Sequence, residues 1–258
     1  MRDAGAISRS IDHDLPELGR GVIRRYLDPN DPSTASFLAA PDAREQHQTD
    51  WHQWGIITHT RRFMDHFHTD VPEYVRAWGV WEPVNAALSR CIDGFTRWQL
   101  LQVSILLHDI GKFGARRRQG NRFHFAHHET LSGSIIRHEL DLARYSLTPD
   151  QIEYVAMTAE DHFVLGLVRK EARGHRAYDD SYVAGPEFAE LARRIKGEHP
   201  LDFVEVGVLF LGDSLAKVDP RHGPERAVSQ YDVNIALARR YLEVVTAGTP
   251  EDTEGKAQ

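Results

Sequence analysis

Apolar residues recur along this chain at intervals of three and four, a pattern that predicts helices almost throughout. Leu15, Leu18, Val22, Ile23 and Tyr26 form one such stripe, and the segment from Pro29 to Ser33 breaks it. A second helix is predicted from about Asp42 to Phe67. Asp70-Val71-Pro72 reads as a cap followed by a first-turn proline. A short helix from Pro83 to Ile92 is closed by Asp93-Gly94. The stretch from Trp98 to Asp109, WQLLQVSILLHD, is largely apolar and stops at Gly111. Thr148-Pro149-Asp150-Gln151 has the form of a capping box with proline just inside its helix. Two further helices are expected over Pro200 to Val218 and Pro224 to Val245. No alternating run flanked by a hairpin turn is present. The expected fold is all-α: a helical bundle over residues 50–246, an N-terminal helical extension over residues 1–49 packed on it, and a small, polar, disordered tail over residues 247–258.

The 258 residues suit one domain with appendages. At 41% hydrophobic and 27% charged, the composition is that of a folded chain rather than a disordered or fibrous one. No run approaches the roughly 18 apolar residues of a membrane helix, so no membrane partner is expected. MRDAGAISRSIDHD lacks the apolar core of a secretory signal. The single cysteine, Cys91, leaves no internal disulfide and fits a reducing compartment, so a cytoplasmic location is expected. With 31 basic and 38 acidic residues the net charge is -7, which argues against a broad nucleic-acid surface. Histidine is abundant, at 15 residues, and several fall where the pattern calls for an apolar core.

In VSILLHDIGK, Val103 to Leu107 leads straight into His108 and Asp109. In VEVGVLFLGDSLAK, Asp213 follows Val206, Val208, Leu209, Phe210 and Leu211. In IEYVAMTAEDHF, Asp161-His162 ends an apolar helix. A buried, unpaired carboxylate costs on the order of several kcal/mol or becomes neutral. A divalent cation removes that cost by supplying the missing charge at about 2 Å. Imidazole with carboxylate suits Fe, Mn, Zn or Ni, and one cysteine cannot build a thiolate site. His59 follows Ile56 and Ile57, and His127-His128-Glu129 opens a helix whose Leu131, Ile135 and Ile136 make a core face. A lone histidine in a helix is more often an ordinary core or surface residue; here the joint pattern carries the reading. The candidate ligands are His59, His108, Asp109, His128, His162 and Asp213. Six are too many for one open catalytic ion but enough for two, with Asp109 as the natural bridge.

These residues resemble the HD-domain superfamily of metal-dependent phosphohydrolases. That family orders its ligands H…HD…D along a helical bundle, and its two-metal members add two histidines before the last Asp. The order here is His59, His108-Asp109, His128, His162, Asp213. The resemblance spans roughly residues 50–220 and rests most specifically on LLHDIGK. FAHHETLSGSIIRHEL, EDH and LGDSLAKVD look most like the HD domain of bacterial tRNA nucleotidyltransferases. The chain departs from the family in the long gap between His59 and His108, which carries Trp78 and Trp81, and in having Asp161 before His162. His127 stays open as an alternative to His128.

The resemblance implies an HD-domain helical bundle, two divalent transition metal ions (Fe, Mn, Ni or Co), and a phosphomonoesterase or phosphodiesterase acting on a nucleotide or related small phosphoester. Asp109 and Lys112 would be its catalytic residues, with Lys112 reaching the scissile phosphate as a point charge. Arg116, Arg117, Arg118 and Arg122, in GARRRQGNR, are expected to rim the pocket as substrate contacts, with a solvated charge run as the alternative. Arg169, Lys170, Arg173 and Arg176 read as part of a long polar loop, with a mobile lid as the alternative. Two other readings share these residues. One is a mixed-valent di-iron oxygenase that cleaves C–C or C–P bonds, against which Lys112 leans because several such enzymes carry histidine there. The other is a non-catalytic nucleotide-binding module, disfavoured because every ligand position is filled.

Overall fold

The apolar stripes of the sequence become the buried faces of a mostly helical structure. A computed structural model describes residues 3–166, 168 and 180–247. Helix α1 (Ala4–Tyr26) starts at Asp3, whose carboxylate accepts from the Gly5 amide, and buries Ile7, Ile11, Leu15, Val22 and Ile23. Helix α2 (Pro32–Ala39) is capped by Asp31, with proline in its first turn. A 3-10 turn, Arg44–Gln46, precedes α3 (Ile56–His68), α4 (Asp70–Ala77) and α5 (Trp81–Leu88). A two-residue hairpin, β1 (Cys91–Ile92) and β2 (Phe95–Thr96), leads into α6 (Arg97–Leu107) and α7 (Lys112–Ala115). A second hairpin, β3 (Arg117–Gln119) and β4 (Arg122–His124), precedes α8 (His128–His138) and α9 (Pro149–Asp161). The chain continues through α10 (Asp180–Ala184), α11 (Pro186–Glu198), α12 (Phe203–Ala216), α13 (Glu225–Val228) and α14 (Tyr231–Thr246).

The core is organised around α12, which is buried from Val204 to Ala216 and packs between α3 and α14. A helix apolar on every side belongs at the centre of a bundle. Helix α6 lies against α9 and α1, and α8 lies against α9. The buried residues of α1 belong to the same continuous core as those of α3, α6 and α12, so the extension is packed into the bundle. Among the described residues, no helix is long and apolar enough to cross a membrane.

The structure departs from the predicted elements in a few places. The helix predicted from Asp42 begins only at Ile56. Asp42 instead caps it from outside, its Oδ1 accepting from the Thr58 amide at 2.8 Å, and the polar run QHQTDWHQW offers no apolar stripe to hold a helix. The helix predicted to reach Ile92 stops at Leu88. Asp93 and Gly94 have φ of 49° and 89° and form the turn of the first hairpin. The two short hairpins are strands that the sequence pattern does not predict, because two or three residues are too few to show alternation. The last predicted helix is interrupted between Val228 and Tyr231. Arg169, Lys170, Arg173 and Arg176, and residues 248–258 of the expected tail, lie outside the described residues.

Candidate metal centre

Four of the six sequence-derived ligands stand at or beside helix ends, His59 and Asp213 lie one turn inside theirs, and close helix packing brings all six together. His108 is the C-cap of α6, His162 is the C-cap of α9, and His128 opens α8. Gly111 lets α7 and α8 meet: a Cβ there would lie 2.1 Å from the His128 carbonyl oxygen. Its amide donates to Ser132 Oγ at 2.9 Å. Gly212 does the same for α12 and α3, since a Cβ would lie 2.1 Å from the Phe63 ring. That approach sets Asp213 against His59 of α3, with Asp213 Oδ1 3.0 Å from His59 Nε2.

His59, His108 and Asp109 present ligand atoms within 4.8 Å of one another, and so do Asp109, His128 and His162. Asp109 belongs to both groups. Its Oδ2 is 3.3 Å from His108 Nε2 and 3.7 Å from His59 Nε2. Its Oδ1 is 3.3 Å from His128 Nε2 and 3.9 Å from His162 Nε2. Asp213 completes the first group, 4.0 Å from His108 Nε2. Of the two adjacent histidines, His128 is the one whose ring joins the cluster; His127 has a left-handed backbone, φ 58°, and lines the neighbouring cleft.

Three of these imidazoles are oriented by the same local device. The Nδ1–H of His108 donates to the Ile105 carbonyl at 2.7 Å, that of His128 to Phe125 at 2.8 Å, and that of His162 to Ala159 at 2.6 Å. Each acceptor lies three residues back, so each Nε2 faces Asp109. Unprotonated, these nitrogens cannot satisfy a carboxylate. His108 Nε2 is buried without a hydrogen-bond partner, and the two buried oxygens of Asp109 are met by the Lys112 ammonium, 2.7 Å from Oδ2, and by the imidazoles around them. Such a set of N and O acceptors, converging in a dry interior, fits divalent cations.

Burial opposes ionisation of Asp109 and Asp213, yet their neighbours win. His108 and Lys112 hold Asp109, and Lys217 and His59 hold Asp213, well below the usual carboxylate range. Burial pushes His59 down and His162 down to about 3. For His128, burial also lowers the pKa, but hydrogen bonds to Asp109 and Glu129 outweigh it and raise it to about 9. In the metal-free protein His128 is therefore the histidine that takes a proton and donates to Asp109. A metal ion has to displace that proton.

Lys112 is buried, its Nζ 2.7 Å from Asp109 Oδ2 and 3.0 Å from His47 Nε2. His47 accepts there because its Nδ1–H donates to the Trp54 carbonyl at 3.0 Å. His47 stacks on His52 at 3.8 Å between ring centroids, and His52 meets His59 edge-on at 4.8 Å. Burial holds both His47 and His52 well below the ordinary histidine range, with Lys112 adding to the effect at His47. Neither residue is part of the sequence-derived site. They lie in a polar run without periodicity, and their only signal is a pair of histidines in a segment that precedes His59.

A cleft of about 510 Å³ adjoins this cluster, lined among others by His47, His128, Phe163, Lys217 and Tyr231. Lys217 pairs with Asp213 and lies over the Phe163 ring. Of the four arginines expected at the rim, Arg122 lines the cleft and pairs with Asp50 at 2.9 Å. The other three do not. Arg116 is sandwiched between Phe37 and Phe123 and donates to the Ser33 carbonyl at 2.7 Å and to Gln46. Arg117 donates to the carbonyls of Gly114 and Arg116, and Arg118 to that of Gly120. Arg226, which the sequence did not single out, lines the cleft and stacks on Trp51 at 4.3 Å. Compared with known protein families and with curated proteins, the chain matches none.

Proposed function

We propose that this chain is a metal-dependent phosphohydrolase of the HD-domain type, acting on a nucleotide or a related small phosphoester. The observation that carries the reading is the convergence of buried imidazole and carboxylate atoms on two positions that share Asp109. His59, His108, Asp109 and Asp213 would hold one divalent transition ion, and Asp109, His128 and His162 a second, drawn from Fe, Mn, Ni or Co. Such ions, when bound, supply Lewis acidity toward phosphoryl oxygens and a water acidic enough to lose its proton near neutral pH.

The chain's own residues supply the rest. Lys112, pinned between Asp109 and His47, keeps Asp109 ionised and oriented, and so acts as a positioning residue at the centre of the cluster. The ordered Nδ1–H donations of His108, His128 and His162 fix their rings before anything binds. Lys217, Arg122 and Arg226 place cationic groups along the cleft, where phosphate oxygens are recognised by charge-assisted contacts. Trp51, Phe163 and Tyr231 add aromatic faces suited to a base or another planar substituent.

The test is turnover of nucleoside monophosphates and phosphodiesters by Mn-loaded protein under nitrogen. Release of phosphate or opening of a diester is the expected result. Activity that needs O₂ and Fe, with O₂ consumed in step with substrate, would establish the di-iron oxygenase instead. Specific binding with no turnover under either gas would leave a non-catalytic module.

A further inference from the structure

A separate cluster includes Asp161, the residue before His162. Asp161 is the last residue of α9, His199 is the C-cap of α11, and Asp202 immediately precedes α12. We propose that Asp161, His199 and Asp202 form an additional cation site, for a single divalent ion of the Zn or Mn class, distinct from the paired centre. Their ligand atoms all lie within 4.8 Å of one another. His199 Nδ1 is 2.8 Å from Asp161 Oδ2 and 3.9 Å from Asp202 Oδ1. Around a tetrahedral ion with bonds of about 2.1 Å, neighbouring ligands sit about 3.4 Å apart. The two observed separations bracket that value, so small side-chain movements suffice.

A second observation points to a ligand. The Asp202 side chain is only 2% exposed, and its Oδ2 is buried without a hydrogen-bond partner. Arg97, nearby, is engaged by Glu205 at 2.8 Å. Two carboxylates and an imidazole therefore face one another with a buried acceptor left over, and a cation resolves that arrangement. Asp161 and His199 are 19% and 22% exposed, which leaves a path for the ion and for the water that completes its shell. The one-nitrogen, two-oxygen donor set suits Zn or Mn. Because Asp161 is bonded directly to His162, an ion here braces the end of α9 that presents His162 to the paired centre.

Equilibrium dialysis against Zn(II), with metal counted per chain, tests the proposal on the full-length protein. His199→Ala, at a partly exposed position, is expected to bind one ion fewer than wild type with unchanged circular dichroism, and Asp202→Asn to do the same. Asp109→Ala, which removes the bridge of the paired centre, is expected to keep this ion, so the two sites fail separately. Equal ion counts for wild type and His199→Ala would overturn the proposal.

Discussion

Lys112 and His128 press on Asp109 from opposite sides, and each has a measurable consequence. Lys112 contributes a charge-assisted contact to Asp109, worth about 1.5–3 kcal/mol. Lys112→Ala is therefore expected to lower kcat/KM on the order of ten- to a hundredfold. The loss should fall mainly on kcat, because the lysine acts through Asp109. His128 links the site to pH. Its pKa is raised to about 9 in the metal-free fold, against about 6.5 in an unfolded chain. The stabilisation it gives the metal-free protein is thus complete below about pH 6.5 and is lost as pH rises through about 9. Metal binding shows the opposite trend: affinity measured by calorimetry should rise across that window, with proton release on binding, and His128→Gln should flatten it. The residues of the His/Asp cluster were readable in the sequence because each interrupts an apolar run or opens one. His47 and His52 interrupt nothing, so their place beside Lys112 became visible only once the chain was folded.

Helix boundaries were legible where local chemistry sets them. The capping box at Thr148 is formed with both of its hydrogen bonds, and Gln151 is the third residue of α9 as its spacing implied. The segment between Asp42 and Ile56 was misread as helix because its structure depends on contacts made elsewhere: Asp42 caps Thr58, and Gln46 is held by Ser36 and Arg116. Packing between elements was also hidden in the sequence, and Gly212 shows the cost of disturbing it. A methyl group there meets Phe63 and pushes α12 away from α3. Gly212→Ala is expected to destabilise the fold by about 1–3 kcal/mol, as overpacking does. By separating Asp213 from His59 it should also weaken metal binding more than a substitution elsewhere on α12. Denaturant unfolding alongside metal titration checks both effects.

One of the residues that the sequence assigned to a rim, Arg116, ties separate elements of the molecule together. Arg116 links α2, the 3-10 turn and the second hairpin through Ser33, Gln46, Phe37 and Phe123. Arg122 faces the cleft. Arg116→Ala is accordingly expected to lower the thermal midpoint by several degrees, since a buried hydrogen-bonded cation contributes about 1.5–3 kcal/mol, while leaving KM nearly unchanged. Arg122→Ala should raise KM with little effect on stability. A reversal of these two effects would place Arg116 at the substrate. The all-α architecture and a buried His/Asp cluster that could hold metal were legible from periodicity and from polar residues in apolar runs. The extension over residues 1–49 contributes His47 beside Lys112 and α1 to the continuous core.

Asp109, shared by both groups, would hold two metal ions, and the most direct measurement is the metal content of wild type and Asp109→Ala after identical loading with Mn and dialysis. Because both groups depend on Asp109, one substitution is expected to remove two ions per chain while circular dichroism stays unchanged. A difference of one ion, or of none, would contradict the shared centre.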